Sequence, residues 1–166
     1  MQNWDDVLYP SFRATIRGEY YGLVTEDLID EECYNLARRA ISAFKFPKIS
    51  TAYETFYAKR NDEGELVETT DSDAIPHGRF LNELNYAEIE IIIAWMKVYW
   101  CETLISNADN FEDIYTDANI KTYSRANAVD KNMKLMAEYR KYARELENRY
   151  SRINKDGKPA IGDINE

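Results

Sequence analysis

Few side chains in this sequence carry obvious chemistry. There is one histidine, His77, and there are two cysteines, Cys33 and Cys101. His77 stands between Pro76 and Gly78 in a polar, turn-rich stretch, which reads as a surface loop. A nucleophilic triad needs the imidazole beside Ser or Cys and an acid, yet both cysteines fall inside helical apolar patterns. They read as reduced core residues, the usual place of free Cys in a cytosolic setting. A closed zinc site has no ligand set here, and no Glu-x-x-His pair suggests a di-iron bundle. The glycines at 18, 22, 64, 78, 157 and 162 never cluster, and no GxGxxG, Walker or GxSxG pattern is present. "DSDAIPHG" and "NADNFEDIYTDAN" are acid-rich but lack calcium-loop spacing, so both read as polar connectors. Tyr115, Tyr123, Tyr139, Tyr142 and Tyr150, interleaved with Arg and Lys, could stack on single-stranded nucleic acid. Their spacing suits a core or subunit contact better. The expectation is a protein that is no enzyme and takes no cofactor or metal.

The elements around these residues are mostly helical in pattern. Asn3 to Ile16 reads as a first helix, with a break near Pro10. Thr25 caps a second helix running to about Lys45, with the stripe Ile29, Cys33, Leu36, Ala37, Ala40, Ile41 and Phe44. Residues 52–68 change period around the turn signal Asp62–Gly64, which predicts a β-hairpin projecting from the body. Glu68 to Gly78 reads as a connector. Asn85 and Glu88 form a capping box that opens a helix to about Ser106. Its apolar residues surround it, so it must be buried on more than one side. A last helix from Ser124 to about Ile153 carries an a/d seam through Val129, Met136, Tyr139, Ala143, Leu146 and Tyr150. Gly157, Pro159 and Gly162 make the remainder an extended tail. The fold class expected is mainly α: a helical bundle with long central and C-terminal helices, the hairpin and the tail. Residues 1–153 form the domain and 154–166 the tail.

Composition sets outer bounds. A 166-residue chain, 45% apolar with 13 Tyr, 6 Phe and 3 Trp, can bury one core. No apolar run is long enough for a transmembrane span, and the start lacks the plan of a signal peptide. The net charge of −9 is uneven: residues 131–158 hold nine Lys or Arg against four acids, leaving −14 for the rest. That balance disfavours tight sequence-specific DNA binding, which rests on phosphate neutralisation.

"DANIKTYSRANAVDK" lies between the two longest apolar-striped segments. Asp117 and Asn119 favour a turn, Ile120 and Tyr123 anchor it, and Ser124 is a good N-cap. It reads as a structural joint that reverses the chain. Together with "LNYAEIEIIIAWMKVYWCETLI" before it and "ENRYSRI" after it, this joint resembles the head–tail connector (neck or adaptor) proteins of tailed bacteriophages. Such proteins show a Trp-bearing central helix, a D-x-x-x-K-x-[YF]-S-x-A-N-like turn and a long final helix. Asp117, Lys121, Tyr123, Ser124, Ala126 and Asn127 match that turn. The plan extends over residues 25–153, closely only in these three stretches, and the hairpin departs from the barest helical version.

The resemblance implies a virion protein, made in the host cytoplasm, that forms a ring (commonly a dodecamer) at the neck. Its partners would be the portal protein, further neck or tail-completion proteins and its own copies, with no membrane. Genome DNA would pass without specific binding, and an acidic lumen would help it slide. The C-terminal segment would dock into the portal through Arg152, Ile153, Lys155, Lys158, Ile161 and Ile164. Two other classes compete: a small acidic regulatory or interaction module such as a DNA mimic, and a nucleic-acid binder using residues 131–155. The first predicts acids spaced like phosphates; the second predicts DNA retention that weakens steeply with salt.

Overall fold

The computed structural model describes residues 1–16, 25–61, 63–108 and 121–153. In chain order the elements are β1 (Gln2–Asn3), α1 (Trp4–Val7), α2 (Tyr9–Thr15), α3 (Glu26–Ala43), β2 (Tyr53–Arg60), β3 (Leu66–Glu68), β4 (Ile75–Phe80), α4 (Tyr86–Ala108) and α5 (Lys121–Ser151). The strands form one antiparallel sheet in the order β1-β4-β2-β3. The molecule is therefore mixed α/β, which corrects the expectation of a mainly helical bundle. The 52–68 hairpin does form, turning at Gly64 with its φ of 80°, but it does not project. Its first strand lies inside the sheet, paired with β4 from Tyr53 to Ala58.

The strand that makes the difference is β4, expected to be part of a connector. Pro76 and Gly78 punctuate it as a turn would, and both have other reasons to be there. β1 pairs with β4 only at Phe80 and Arg79, so the stretch carrying Pro76 has a partner strand on one side alone. That is the edge-like setting in which a proline costs no ladder bond. At Gly78, an added Cβ would stand 2.1 Å from Cε3 of Trp4. The indole of Trp4, fully buried, lies on the bare glycine backbone and packs against Tyr53 at 4.8 Å, Phe80 at 5.5 Å and Tyr34 at 5.7 Å.

The first helix is two short ones, α1 and α2, meeting at Leu8 rather than breaking at Pro10. Pro10 falls in the first turn of α2, where its missing N–H costs nothing. α3 follows Thr25 as expected, buries Ile29, Cys33, Leu36, Ala37, Ala40 and Ile41, and ends at Ala43 before Pro47. In α4 the run Ile91 to Met96 is buried without a gap, along with Val98, Trp100 and Cys101. A helix covered on all sides is the centre of its layer, and α4 packs against α2, α3 and α5. Cys33 and Cys101 are free thiols in this core, and burial pushes the Cys101 thiol up to about 11. α5 begins at Lys121, three residues ahead of the expected cap Ser124, and buries Ala143, Leu146 and Tyr150 against α4. Among the described residues no helix is long and apolar enough to cross a membrane.

Candidate functional site

Two polar constructions stand out. The first is where α3 ends, α4 begins and α5 ends. Glu88 in the first turn of α4 is fully buried. It closes the capping box read from the sequence: its N–H donates to Asn85 Oδ1 at 3.0 Å, and Asn85 N–H donates to its Oε2 at 3.3 Å. Its Oε1 also accepts the backbone N–H groups of Lys48 at 3.2 Å and Ile49 at 2.9 Å, and the hydroxyl of Tyr150 from α5. Burial and that bond hold the Tyr150 phenol up at about 12. Lys48 lies over the Tyr150 ring at 4.3 Å and donates from Nζ to the Tyr150 carbonyl. Phe44 meets the same ring edge-on at 5.9 Å. On the neighbouring side Glu147 accepts from Trp95 Nε1 at 3.1 Å. One capping glutamate thus serves as a latch, joining the α3–β2 loop and the last turn of α5 to the start of α4. The latch fixes the last turn of α5 on the body up to Ile153.

The second construction sits between α1, α2, α3 and the sheet. His77 on β4 is 0% exposed, which corrects its reading as a surface-loop histidine. Its Nδ1 lies 3.0 and 3.2 Å from the two carboxylate oxygens of Asp5, and its ring stacks on Phe56 across the ladder at 5.7 Å. Asp30 on α3, also buried, accepts from Arg60 Nε at 3.0 Å and Nη2 at 2.6 Å. Arg13 approaches its Oδ1 at 3.8 Å while binding Glu26 at 2.8 Å. Burial raises the Asp30 carboxyl above its ordinary range, with Arg60 opposing, and burial raises the Tyr9 phenol far above its own. Among the described residues, Tyr9 Oη, Asp30 Oδ1 and His77 Nε2 have no hydrogen-bond partner.

An imidazole oriented by a carboxylate is the raw material of acid–base catalysis, but a substrate must reach within hydrogen-bond distance. This imidazole is sealed inside the fold. Asp5, Asp30 and His77 also bring one donor atom each within 4.8 Å of one another. Arg60 already occupies the cation's place, its Nη2 at 2.6 Å from Asp30 and 4.0 Å from Asp5. The cluster is an internal charge network that ties α1–α3 to the sheet.

The residues singled out in the sequence separate differently. Arg152 and Ile153 lie at the latch, bonded through their N–H groups to the carbonyls of Arg149 and Tyr150. Lys155, Lys158, Ile161, Ile164 and the joint residue Asp117 lie outside the described residues. Lys121, Tyr123, Ser124 and Asn127 belong to the first turns of α5, with side chains outside the described part. Asp5, Asp30, Arg60 and His77 went unread as a group, because nothing local links four positions spread over three elements and a loop-like "IPHG". No family model, curated protein or solved structure matches the chain.

Proposed function

We propose that this chain is a structural protein of the tailed-phage neck, forming a ring between portal and tail that extends the DNA channel and carries later components. The reading starts from the resemblance in three stretches, two of which form α4 and the end of α5. The observation that supports it is the Glu88 latch. A protein that docks through a tail needs the tail's root held firmly on its body. Here a fully buried carboxylate with four donors holds the last turn of α5 just ahead of Arg152 and Ile153. Residues 154–166 then supply Lys155, Lys158, Ile161 and Ile164 as the docking contacts.

Deleting residues 156–166 tests this. The truncated chain keeps its circular-dichroism spectrum and melting temperature but no longer co-sediments with portal, and negative-stain images show bare portal rings. Full portal attachment by the truncated chain overturns the docking assignment. Failure of the intact chain to bind portal, with normal folding, overturns the neck reading itself and leaves the acidic interaction module in its place.

A further inference from the structure

The cluster between α1, α2, α3 and the sheet holds more donor atoms than its ion pair uses. A buried ion pair is stabilising only when the remaining lone pairs of its acid are also satisfied. Arg60 takes one oxygen of Asp30, Oδ2, and among the described residues Oδ1 has no hydrogen bond. His77 is engaged on one edge alone: Nδ1 faces Asp5 at 3.0 Å, and Nε2 has no partner among the described residues. Tyr9 Oη is a third such atom, on a buried phenol that feels the charges of Asp5 and Asp30. Buried polar atoms are nearly always paired, so three left over in one cluster point to a further binding partner.

The charges say what kind of partner. Asp5 and Asp30 face Arg60, while Arg13, 3.8 Å from Asp30 Oδ1, is bound to Glu26 at 2.8 Å. With a neutral imidazole, two carboxylates share the single charge of Arg60, whereas one divalent ion balances both. Asp5, Asp30 and His77 place one donor atom each within 4.8 Å of one another, from α1, α3 and β4. Arg60 is also a cation that can leave. It stands at the end of β2, partly exposed, and its Nη1 already donates to the Gly64 carbonyl of the β2–β3 turn at 3.0 Å. A guanidinium drawn back to that turn keeps a partner and opens the way by which it entered.

We propose that this cluster is an exchangeable cation site: a divalent transition-metal ion of the zinc class, held by Asp5, Asp30 and His77, takes the position that the Arg60 guanidinium fills here. An imidazole with two carboxylates is a nitrogen-and-oxygen set that zinc and its neighbours accept with three protein ligands and one further position. Magnesium and calcium take oxygen ligands in greater number, so an imidazole-bearing set of three selects against them. Each ligand comes from a different element, so the ion would fasten α1 and α3 to the sheet and raise stability on binding. The site is independent of the neck reading and holds whichever partners the chain has.

The test is a titration of the chelator-treated, full-length chain with Zn²⁺, read by NMR and calorimetry. His77 is the only histidine, so its ring signals report on this site without ambiguity. They are expected to shift and to saturate at one Zn²⁺ per chain, with a rise in melting temperature. Asp5→Asn loses the shift while keeping its circular-dichroism spectrum. Arg60→Met removes the competing cation and binds Zn²⁺ at least about tenfold more tightly. That gain carries the test should Asp5→Asn fail to fold, because a purely structural ion pair predicts no metal affinity in either protein. Unmoved His77 signals in the parent chain at millimolar Zn²⁺, a shift that survives Asp5→Asn in the folded variant, or no gain in Arg60→Met would overturn the site. The same shift with Mg²⁺ would overturn the class of ion.

Discussion

Glu88 and Asp30 are both acids buried in this molecule, and the regions around them solve the cost of burial differently. Glu88 takes hydrogen bonds from three backbone N–H groups and a phenol, so its charge is spread over donors that themselves needed partners. Asp30 relies on a guanidinium, and its surroundings still contain Tyr9 Oη, His77 Nε2 and its own Oδ1 without a hydrogen-bond partner among the described residues. Backbone donors are fixed by the chain path and cost little further ordering, whereas an Arg side chain must be held in place. The latch is therefore expected to stabilise the fold strongly, and the cluster to specify how α1–α3 sit on the sheet while adding little net stability.

The largest difference should appear on removing the acids. Glu88→Ala strands the buried Tyr150 hydroxyl and three half-buried backbone donors, and is expected to cost about 3 kcal/mol in urea denaturation. The loss should be accompanied by faster amide exchange in the last turns of α5. Glu88→Gln keeps a carbonyl acceptor and should cost only about 1–2 kcal/mol. A loss under about 1 kcal/mol for Glu88→Ala would show that the latch carries no load. Next comes Gly78→Ala beside the second region. With the new Cβ 2.1 Å from Trp4, the indole must leave the sheet, and overpacking of this kind costs about 2–3 kcal/mol. Near-native stability of that variant would mean Trp4 has room to shift.

The same contrast explains what could be read from residue order alone. The latch's core, Asn85 and Glu88, is local: an N-cap residue and its N3 partner, three positions apart, announce themselves. So do the all-round apolar pattern of α4 and the turn at Asp62–Gly64. The Lys48, Ile49 and Tyr150 bonds to Glu88 are not local, and nothing in the sequence foretold that a capping acid would hold two other segments. β4 was lost because Pro76 and Gly78 carry turn signals. Their actual reasons, a partner strand on only one side and an indole lying on the backbone, exist only once Trp4 and β1 are in place. The Asp5–Asp30–Arg60–His77 cluster was illegible for the same cause: each member is an ordinary polar residue in its own segment, and only the sheet register brings them together.

Replacing charge by hydrocarbon sharpens the comparison on the cluster side. Arg60→Met alone abandons Asp30 in the interior and should cost about 2 kcal/mol, lowered from the fully buried case by the partial exposure of Arg60. Asp30→Leu with Arg60→Met removes both charges and should return to within about 1 kcal/mol of the parent, by chemical denaturation. No such rescue is available at Glu88, three of whose four donors are backbone. If the double variant is as unstable as the sum of its parts, the ion pair is a true source of stability and the two regions are alike.

The smallest effect is in pH and comes from Asp30. Burial raises the Asp30 carboxyl above its ordinary value, so between that value and the raised one the folded chain binds a proton that the unfolded chain does not. Stability follows the difference in bound protons between the two states, and where the folded state holds more it falls as pH rises. Asp30 thus contributes most stability at pH below the ordinary carboxylate range and loses that contribution as pH climbs through the raised value, the reverse of a carboxylate stabilised by its partners. The titratable and charged groups facing it are Arg60, Arg13, Asp5 and His77, and Arg60 limits the rise without reversing it. Asp30→Asn cannot take up the proton. The stability advantage of the parent over this variant should therefore grow as pH is lowered from 7 into the weakly acidic range, measured by denaturation at each pH. An advantage that shrinks over the same interval would mean that Arg60 outweighs burial at Asp30.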